Sequence, residues 1–513
     1  MSMTVRGRLL AAIFSVGLGG ALVGPASAET LADAIAMAYE NNPTLQAQRA
    51  TQRALDENYV QARTGWRPTL SLSGQAAWQE SRTPQDAAGF DFLGRPNPTI
   101  VNGRSASAGV TFSQPLWTGG RVAAQVSAAQ AEILAGRENL RRIEAQILGQ
   151  VIQAYADVRR DEAALAIRQE NVNVLSRQLQ ESQARFDVGE VTRTDVAQSQ
   201  ARLAQAQALF QQTQAQLAIT RATYAQVVGR NPGQLEPEPS LAYLLPSDPD
   251  QAFSIAEQNN PQLRAQQFTE QASRARVAGA RAERMPNVSA QSTLRFNSAP
   301  DEPYERDLYD RVFTAGVNVT VPLFSGGLVS SRIRQAVERN NTDRLTTEIV
   351  RRGVLQNITS AWSQLIAARA NIASSDEQVR AARIAAEGTR QEQQVGLRTT
   401  IDVLNAEQEL RQAELNQVTA RRDEYVAAAT VLSGMGRLEA KNLTPTVPRY
   451  DPVKNFRKLR LTWGWVPWEE PIGIVDRVLT PWPAPTPDSK PVEAPIPPGL
   501  QPPPAVTRAT PPR

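Results

Sequence analysis

Apolar side chains recur every seven residues along a stretch free of proline: Val151, Val158, Leu165, Val172, Leu179 and Phe186. The stretch begins after Pro115, in PLWTGGRVAA, and turns at Gly189, in FDVGEVTRTD. A seven-residue apolar repeat marks a coiled-coil seam. The 69 residues from Gly120 to Gly189, at 1.5 Å rise per residue, predict a helix roughly 100 Å long. The design returns from Pro322, in PLFSGGLVSS, to Asp402, in QQVGLRTTID, with Ile358, Leu365, Ile372, Val379 and Ala386 on its seam. A shift of 207 positions superposes Pro115 on Pro322, Gly119-Gly120 on Gly326-Gly327, Gly189 on Gly396 and Asp195 on Asp402. The chain therefore reads as a tandem repeat of one long-helix unit.

The period changes from seven to two just before each long helix. Leu70, Leu72, Gly74, Ala76 and Trp78 alternate with Thr69, Ser71, Ser73, Gln75 and Gln79. Ala106, Ala108, Val110 and Phe112 alternate with Ser105, Ser107, Thr111 and Ser113. In the second half, Val288, Ala290, Leu294 and Phe296 oppose Ser289, Gln291, Thr293 and Arg295, and Phe313, Ala315, Val317, Val319 and Val321 oppose Thr314, Asn318 and Thr320. Segments of this kind, apolar on one face and small-polar on the other, fit the wall of a transmembrane β-barrel. A soluble sandwich is the alternative, but two hairpins make a very small one. The hairpins are expected at about 69–116 and 287–322, with loops at 80–104 and 297–311; the repeat shift of 218 before them and 207 after makes the second hairpin connection 11 residues shorter. Trp117 and Phe324 follow the second strand of each pair, either as interfacial anchors or as packing at the junction.

Ahead of the strands, each half carries Asn-Pro, at Asn42-Pro43 and Asn259-Asn260-Pro261, related by a shift of 218. Asn suits a helix N-cap and Pro the first helical position. The Pro-rich stretch 231–250 is a linker, so the first repeat spans 29–230 and the second 251–437. From 438 to 513 the chain is rich in Pro and Trp, with Trp463, Trp465, Trp468 and Trp482. This extension is expected to be largely disordered, with Pro485 onward read as disordered throughout. Residues 450–480 either pack on the body or dock a partner.

Residues 1–28 read as a signal peptide: Arg6 and Arg8, an apolar run from Leu9 to Val23, and Ala26-Ser27-Ala28 as the cleavage site. With 55 basic and 51 acidic residues, the chain has no basic block for nucleic acid. It contains neither Cys nor His, which removes disulfides, thiolate nucleophiles, the commonest general base and the commonest metal ligand. No phosphate-binding loop or metal-ligand cluster is present, so neither enzyme activity nor a cofactor is expected; only a carboxylate-pair hydrolase remains formally open. A periplasmic coiled-coil adaptor is the alternative reading, but adaptors carry a single hairpin flanked by small β-domains.

Four strands cannot close alone, since the smallest membrane barrels have about eight. An open edge in lipid leaves backbone N–H and C=O groups unpaired at several kcal/mol each. The chain must therefore share a barrel with copies of itself, and the helices must continue that barrel as a long tube.

Taken together, these features resemble the TolC family of outer-membrane efflux and type I secretion channels. The resemblance covers about residues 29–437. It rests on the tandem halves, the Asn-Pro helix broken by a proline, PLxxGG after each second strand, and Val-Gly-x5-Asp-Val at each tip: Val188-Gly189 with Asp195-Val196, and Val395-Gly396 with Asp402-Val403. It implies a mainly α chain with membrane β: a trimeric 12-stranded β-barrel, four strands per chain, continued by a long periplasmic α-helical barrel of coiled-coil hairpins. The location it implies is the outer membrane of a Gram-negative bacterium, reaching through the periplasm. The implied partners are a homotrimer, outer-membrane lipid, a periplasmic adaptor and an inner-membrane pump of ABC or RND type, with no nucleic acid. The channel is then a passive conduit opened at its periplasmic tip by adaptor and pump docking.

The same resemblance implies the site residues. Val188, Gly189, Glu190, Val395, Gly396 and Leu397 form the hairpin tips that meet the adaptor. Asp402 maps to a carboxylate that constricts the periplasmic entrance. A second acid often follows one helical turn later, and here that position is Asn405. Arg398 matches a position that ties neighbouring helix pairs shut, with Asp195 as its expected acid partner. The alternative for Asp402 is a solvent-facing cap of the returning helix.

Overall fold

The structure, a computed structural model, describes residues 29–82, 84, 89–96, 100–298, 309–444 and 450–478. The expected leader, 1–28, and the stretch from Pro485 onward lie outside these residues. The first half opens with two helices, α1 (Leu31–Asn41) and α2 (Pro43–Arg63). Asn42 begins α2 as its sequence suggests: its Oδ1 accepts from the N–H groups of Thr44 and Leu45 at 3.0 and 3.3 Å. Pro43 sits where a first-turn N–H would have no intrahelical partner, so its missing donor costs nothing.

Next come β1 (Thr69–Arg82) and β2 (Ile100–Trp117). Both run further than the alternation marked, so part of the 80–104 loop is strand ladder. Gly119 and Gly120 follow with φ of 65° and 85°, a left-handed pair that turns the chain out of the sheet and into α3 (Arg121–Asp187), 67 residues long. A Cβ on Gly119 would lie 2.4 Å from Met285 Cβ, so this turn admits only glycine. The tip at Gly189 leads into α4 (Arg193–Val228), which returns beside α3.

The second half repeats the order: α5 (Pro249–Asn259), α6 (Pro261–Ala282), β3 (Asn287–Ser298), β4 (Tyr309–Thr320), α7 (Leu328–Gln394) and α8 (Thr400–Gly434). Asn260 caps α6 as Asn42 caps α2, accepting from Gln262 and Leu263 at 2.9 and 3.1 Å. α7 is again 67 residues, about 100 Å. The four strands form one antiparallel sheet in the order β1-β2-β3-β4, with β1 and β4 at its edges. No helix of the described residues is long and apolar enough to cross a membrane.

The main core lies midway along the long helices. Val151, Ile152, Tyr155 and Val158 of α3 meet Ile358 and Leu365 of α7, Leu432 of α8, and Ile35 and Leu263 from the opening helices. The linker joins this belt: Leu241 is buried in it, and Glu236 accepts the Tyr155 hydroxyl proton at its carbonyl, 2.7 Å away. The seven-residue seam of α3 is thus fully buried at Val151 and Val158. It becomes half-buried through Leu165, Val172 and Leu179, and is exposed at Phe186 near the tip.

In the extension after 437, residues 445–449 and 479–513 lie outside the described residues; the described part is folded, as α9 (Ala440–Leu443), α10 (Pro452–Leu459) and α11 (Glu469–Val478). Residues 450–478 pack on the body, for a reason set by side chains far away in sequence.

Candidate functional site

The site has three parts: the sheet, the tips, and the junction between sheet and helices. In the sheet, register brings one face of every strand into line. Leu72 stands beside Val110, Val110 beside Leu294, and Leu294 beside Phe313. Leu70 pairs with Phe112 one step below. This apolar face is open: Leu70 is 72% and Phe313 65% exposed. On the other face Ser71, Thr111, Thr293 and Thr314 line up in one row, with the Thr111 and Thr293 hydroxyls 3.4 Å apart. A wall that is apolar outside and hydroxyl-lined inside suits lipid on one side and water on the other. Of the two candidate anchors, Phe324 is 92% exposed, whereas Trp117 is half-buried at its junction.

At the tips, Gly189 and Gly396 take φ of 82° and 81°, and the residues around them stand in solvent. Val188 is 71%, Val395 71% and Leu397 76% exposed, and Glu190 is exposed beside them. The two helices that return from the tips start alike. Asp195 accepts from the Thr192 N–H and hydroxyl at 2.9 and 2.8 Å. Asp402 accepts from the Thr399 N–H and hydroxyl at 3.1 and 2.7 Å. Each carboxylate is thereby the N3 partner of a capping box. Within the chain, Asp402 thus takes the capping role left open above. The Thr399 hydroxyl and N–H bonds hold the Asp402 carboxyl below its usual range, aided by the nearby Arg398 charge.

Arg398 does not meet Asp195 within the chain. Its Nε donates to Glu392 Oε2 at 2.8 Å, on its own hairpin. That hydrogen bond, with the Glu392 and Asp402 charges, raises the Arg398 pKa. Asn405 has a different neighbour. Arg202, on α4, donates through Nη2 to Asn405 Oδ1 at 3.0 Å and through Nη1 to Gln408 Oε1 at 2.6 Å, both on α8. Leu404 is buried against Leu175 and Ala206 of the first hairpin. The two hairpins are therefore tied near their tips by an arginine fork above a small apolar contact. Sequence reasoning missed Arg202, because nothing within its own helix marks it. It also missed Glu407, buried between Arg390 and Arg411.

The junction holds what the sequence left undecided. Glu469 is fully buried between Arg63 and Arg67: its Oε2 is 2.8 Å from Arg67 Nε, and its Oε1 is 2.6 Å from Arg63 Nε. The second contact is a charge contact rather than an aimed hydrogen bond, since neither atom finds hydrogen-bond geometry there. Seven residues on, Asp476 is also buried. Its Oδ1 accepts from the Thr118 and Gly120 N–H groups at 2.8 and 3.0 Å, and its Oδ2 from Ala123 N–H at 3.3 Å and Trp66 Nε1 at 3.2 Å. The N-cap of α3 is Gly120, which has no side chain to offer. Asp476 supplies the missing cap from 356 residues away. The available signal was a face of α11: Glu469, Ile472, Gly473 and Asp476 share one side of the helix, and Gly473 lets it settle on the Trp66 ring.

Comparison with known proteins places this geometry. The model of the "Outer membrane efflux protein" family matches residues 34–230 and 252–437. The outer membrane efflux protein BepC of Brucella suis biovar 1 is 34% identical over 447 residues, covering 87% of this chain and 94% of that protein. The outer membrane protein TolC of Vibrio cholerae is 24% identical, over 85% of this chain and 97% of its own. Among solved structures, the outer-membrane channel OprN superposes with a TM-score of 0.68 at 21% identity, covering 79% of this chain and 89% of the other.

Proposed function

From the premise that the chain belongs to the outer membrane efflux protein family, we propose that three copies form the exit duct of an efflux pump or a type I secretion system. The protein is an outer-membrane channel that extends through the periplasm; it is not an adaptor. Its wall is a β-barrel and its periplasmic part a barrel of helical hairpins. The observation that carries the threefold reading is the sheet. Four in-register strands with an open apolar face end in two unpaired edges, and edges in lipid must be closed. Apolar surface on α7 supports it: Ile349, Ile366 and Ile384 are exposed in the single chain, and packing against another copy would bury such side chains. Native mass spectrometry in detergent is expected to give a mass of three chains. A stable single chain would overturn the reading.

The duct is a passive conduit without catalysis or cofactor, and its chain has neither Cys nor His. Its opening is worked from outside, by a periplasmic adaptor and an inner-membrane pump of ABC or RND type. The exposed Val188, Val395 and Leu397 at the tips support a docking role, since apolar knobs flanking a turn are what a partner can cover. Leu397→Asp combined with Val188→Asp is expected to abolish export while leaving the assembled channel intact on native gels. Undiminished export would remove the tips from the docking surface. Near the entrance, Arg202 with Asn405 holds the hairpins together, and three Asp402 side chains form a single acidic ring around it.

A further inference from the structure

The segment from Tyr450 to Val478 lies beyond the family match, which ends at 437. Its inward faces are accounted for. Phe456 packs on Tyr59 with ring centres 4.9 Å apart, and Asn455 Nδ2 donates to Asp56 Oδ2 at 2.9 Å. Its outward faces are not. On α10, Lys454, Arg457 and Lys458 are exposed at helical spacing, with Arg460 just beyond. None of the four forms an ion pair among the described residues. Past them the surface turns apolar: Leu461 is 70% exposed, Trp463 fully exposed, and Ile474, Val475 and Val478 project from α11.

The height of this surface is set by two contacts. Arg67 Nη1 donates to the Trp463 carbonyl at 3.5 Å, and Leu70, three residues on from Arg67, is the first outward apolar side chain of β1. Trp468 Nε1 donates to Gln114 Oε1 at 3.0 Å. Gln114 shares the outward face of β2 with Val110 and Phe112, so Trp468 lies on the outside of the barrel at its lower end. From Leu70 to Trp78, the far end of the apolar face, is eight residues. At about 3.3 Å per residue and about 40° of tilt this is roughly 20 Å of height, close to the apolar band of a membrane barrel. Trp463 therefore sits at the lower margin of that band, where the second aromatic girdle belongs.

We propose that residues 450–478 are an interfacial anchor. Leu461, Trp463, Ile474, Val475 and Val478 enter the boundary between headgroups and acyl chains of the inner leaflet of the outer membrane. Lys454, Arg457, Lys458 and Arg460 engage anionic phospholipid headgroups below it. An apolar and aromatic face bordered by a row of cations is the composition of an interfacial helix. The row of four cations, without ion-pair partners among the described residues, beside the apolar face favours an anionic lipid surface over a second copy of this chain. The proposal rests on the outer-membrane reading.

Because the chain has no cysteine, Trp463→Cys introduces a single thiol for a nitroxide label. The full-length channel is reconstituted in phosphatidylethanolamine vesicles with phosphatidylglycerol. The label at 463 is expected to be more accessible to oxygen than to an aqueous nickel chelate, with the reverse at Glu190→Cys on the tip. Replacing phosphatidylglycerol by phosphatidylcholine, or substituting Lys454→Gln, Arg457→Gln and Lys458→Gln together, is expected to raise nickel accessibility severalfold. Ile474→Cys provides a second label site, and native gels report assembly of each variant. Nickel accessibility equal to that at the tip would overturn the anchor, and insensitivity to headgroup charge would overturn the role of the cations. A disulfide between chains in Trp463→Cys/Phe324→Cys would assign the surface to a second copy. If the channel failed to insert in any vesicle, the outer-membrane reading itself would fail, distinctly from these outcomes.

Discussion

Ending the chain before Tyr450 is expected to prevent stable assembly, whereas ending it after about Pro485 leaves assembly unchanged. The shorter truncation removes Glu469 and Asp476 together. Glu469 is fully buried between two nearly buried arginines, Arg63 and Arg67. Removing one partner of a buried ion pair strands the other charge and costs about 3–5 kcal/mol. Asp476 accepts from three backbone N–H groups at the start of α3 and from Trp66. Each buried donor left without a partner costs about 1–3 kcal/mol. Asp476→Ala alone should therefore lower the melting temperature of the purified channel clearly, and Glu469→Ala should lower it further. Asp476→Asn should fall between wild type and alanine, because one oxygen remains to accept while the charge facing the helix dipole is gone. Thermal unfolding in detergent, followed by circular dichroism, checks the series. An unchanged melting temperature in Asp476→Ala would mean that water or Thr118 can replace the cap.

Arg202→Ser is expected to raise single-channel conductance in planar bilayers strongly, and Arg398→Ser much less. The contrast follows from where each arginine is bound. Arg202 reaches from the first hairpin to Asn405 and Gln408 on the second, whereas Arg398 closes on Glu392 within its own hairpin. If the proposed entrance opens by separation of the hairpins, only the first bond pair resists it directly. Hydrogen bonds to a charged group contribute about 1.5–3 kcal/mol when shielded, and less where water competes. Taking about 1 kcal/mol per chain, three chains moving together shift the opening equilibrium by about 3 kcal/mol, roughly a hundredfold. On the proposed mechanism, an adaptor would open the channel by binding the separated tips better than the closed ones, since only differential affinity moves an equilibrium. Equal conductance changes in the two variants would show that Arg398 also finds a partner across chains.

Block by multivalent cations provides a separate reading of the entrance. The Asp402 carboxyl is held below its usual range by Thr399. A depressed pKa keeps the group ionised, and its capping contribution intact, until the pH falls through that lowered value. Block from the periplasmic side should therefore persist on mild acidification and weaken in Asp402→Ala at neutral pH.

Several features of this protein were legible in the sequence because each depends on a few neighbouring residues. The period of seven marked α3 and α7, whose 67 residues apiece match the distance between their glycines closely. The period of two marked all four strands and their faces, and the observed register aligns those faces across the sheet. Asn42-Pro43 and Asn260-Pro261 announced helix starts because the cap bond spans only two or three positions. The demand for shared closure followed from a strand count and the cost of an edge in lipid.

Other features were decided by tertiary structure alone. The resemblance pointed Arg398 to Asp195, and only the folded turn shows it bound to Glu392 within its own hairpin. Asn405 looked like a lost acid, and it became the acceptor for an arginine 203 residues away. The extension after 437 carries the proline content of an unfolded tail, yet residues 450–478 are held by Glu469 and Asp476. Their partners lie more than 350 residues earlier in the chain. No local pattern records such partners, because a buried acid and an exposed one look the same until the fold brings an arginine or a bare helix end beside one of them. Period and capping are set along the chain, whereas the pairing of buried charges is set across it.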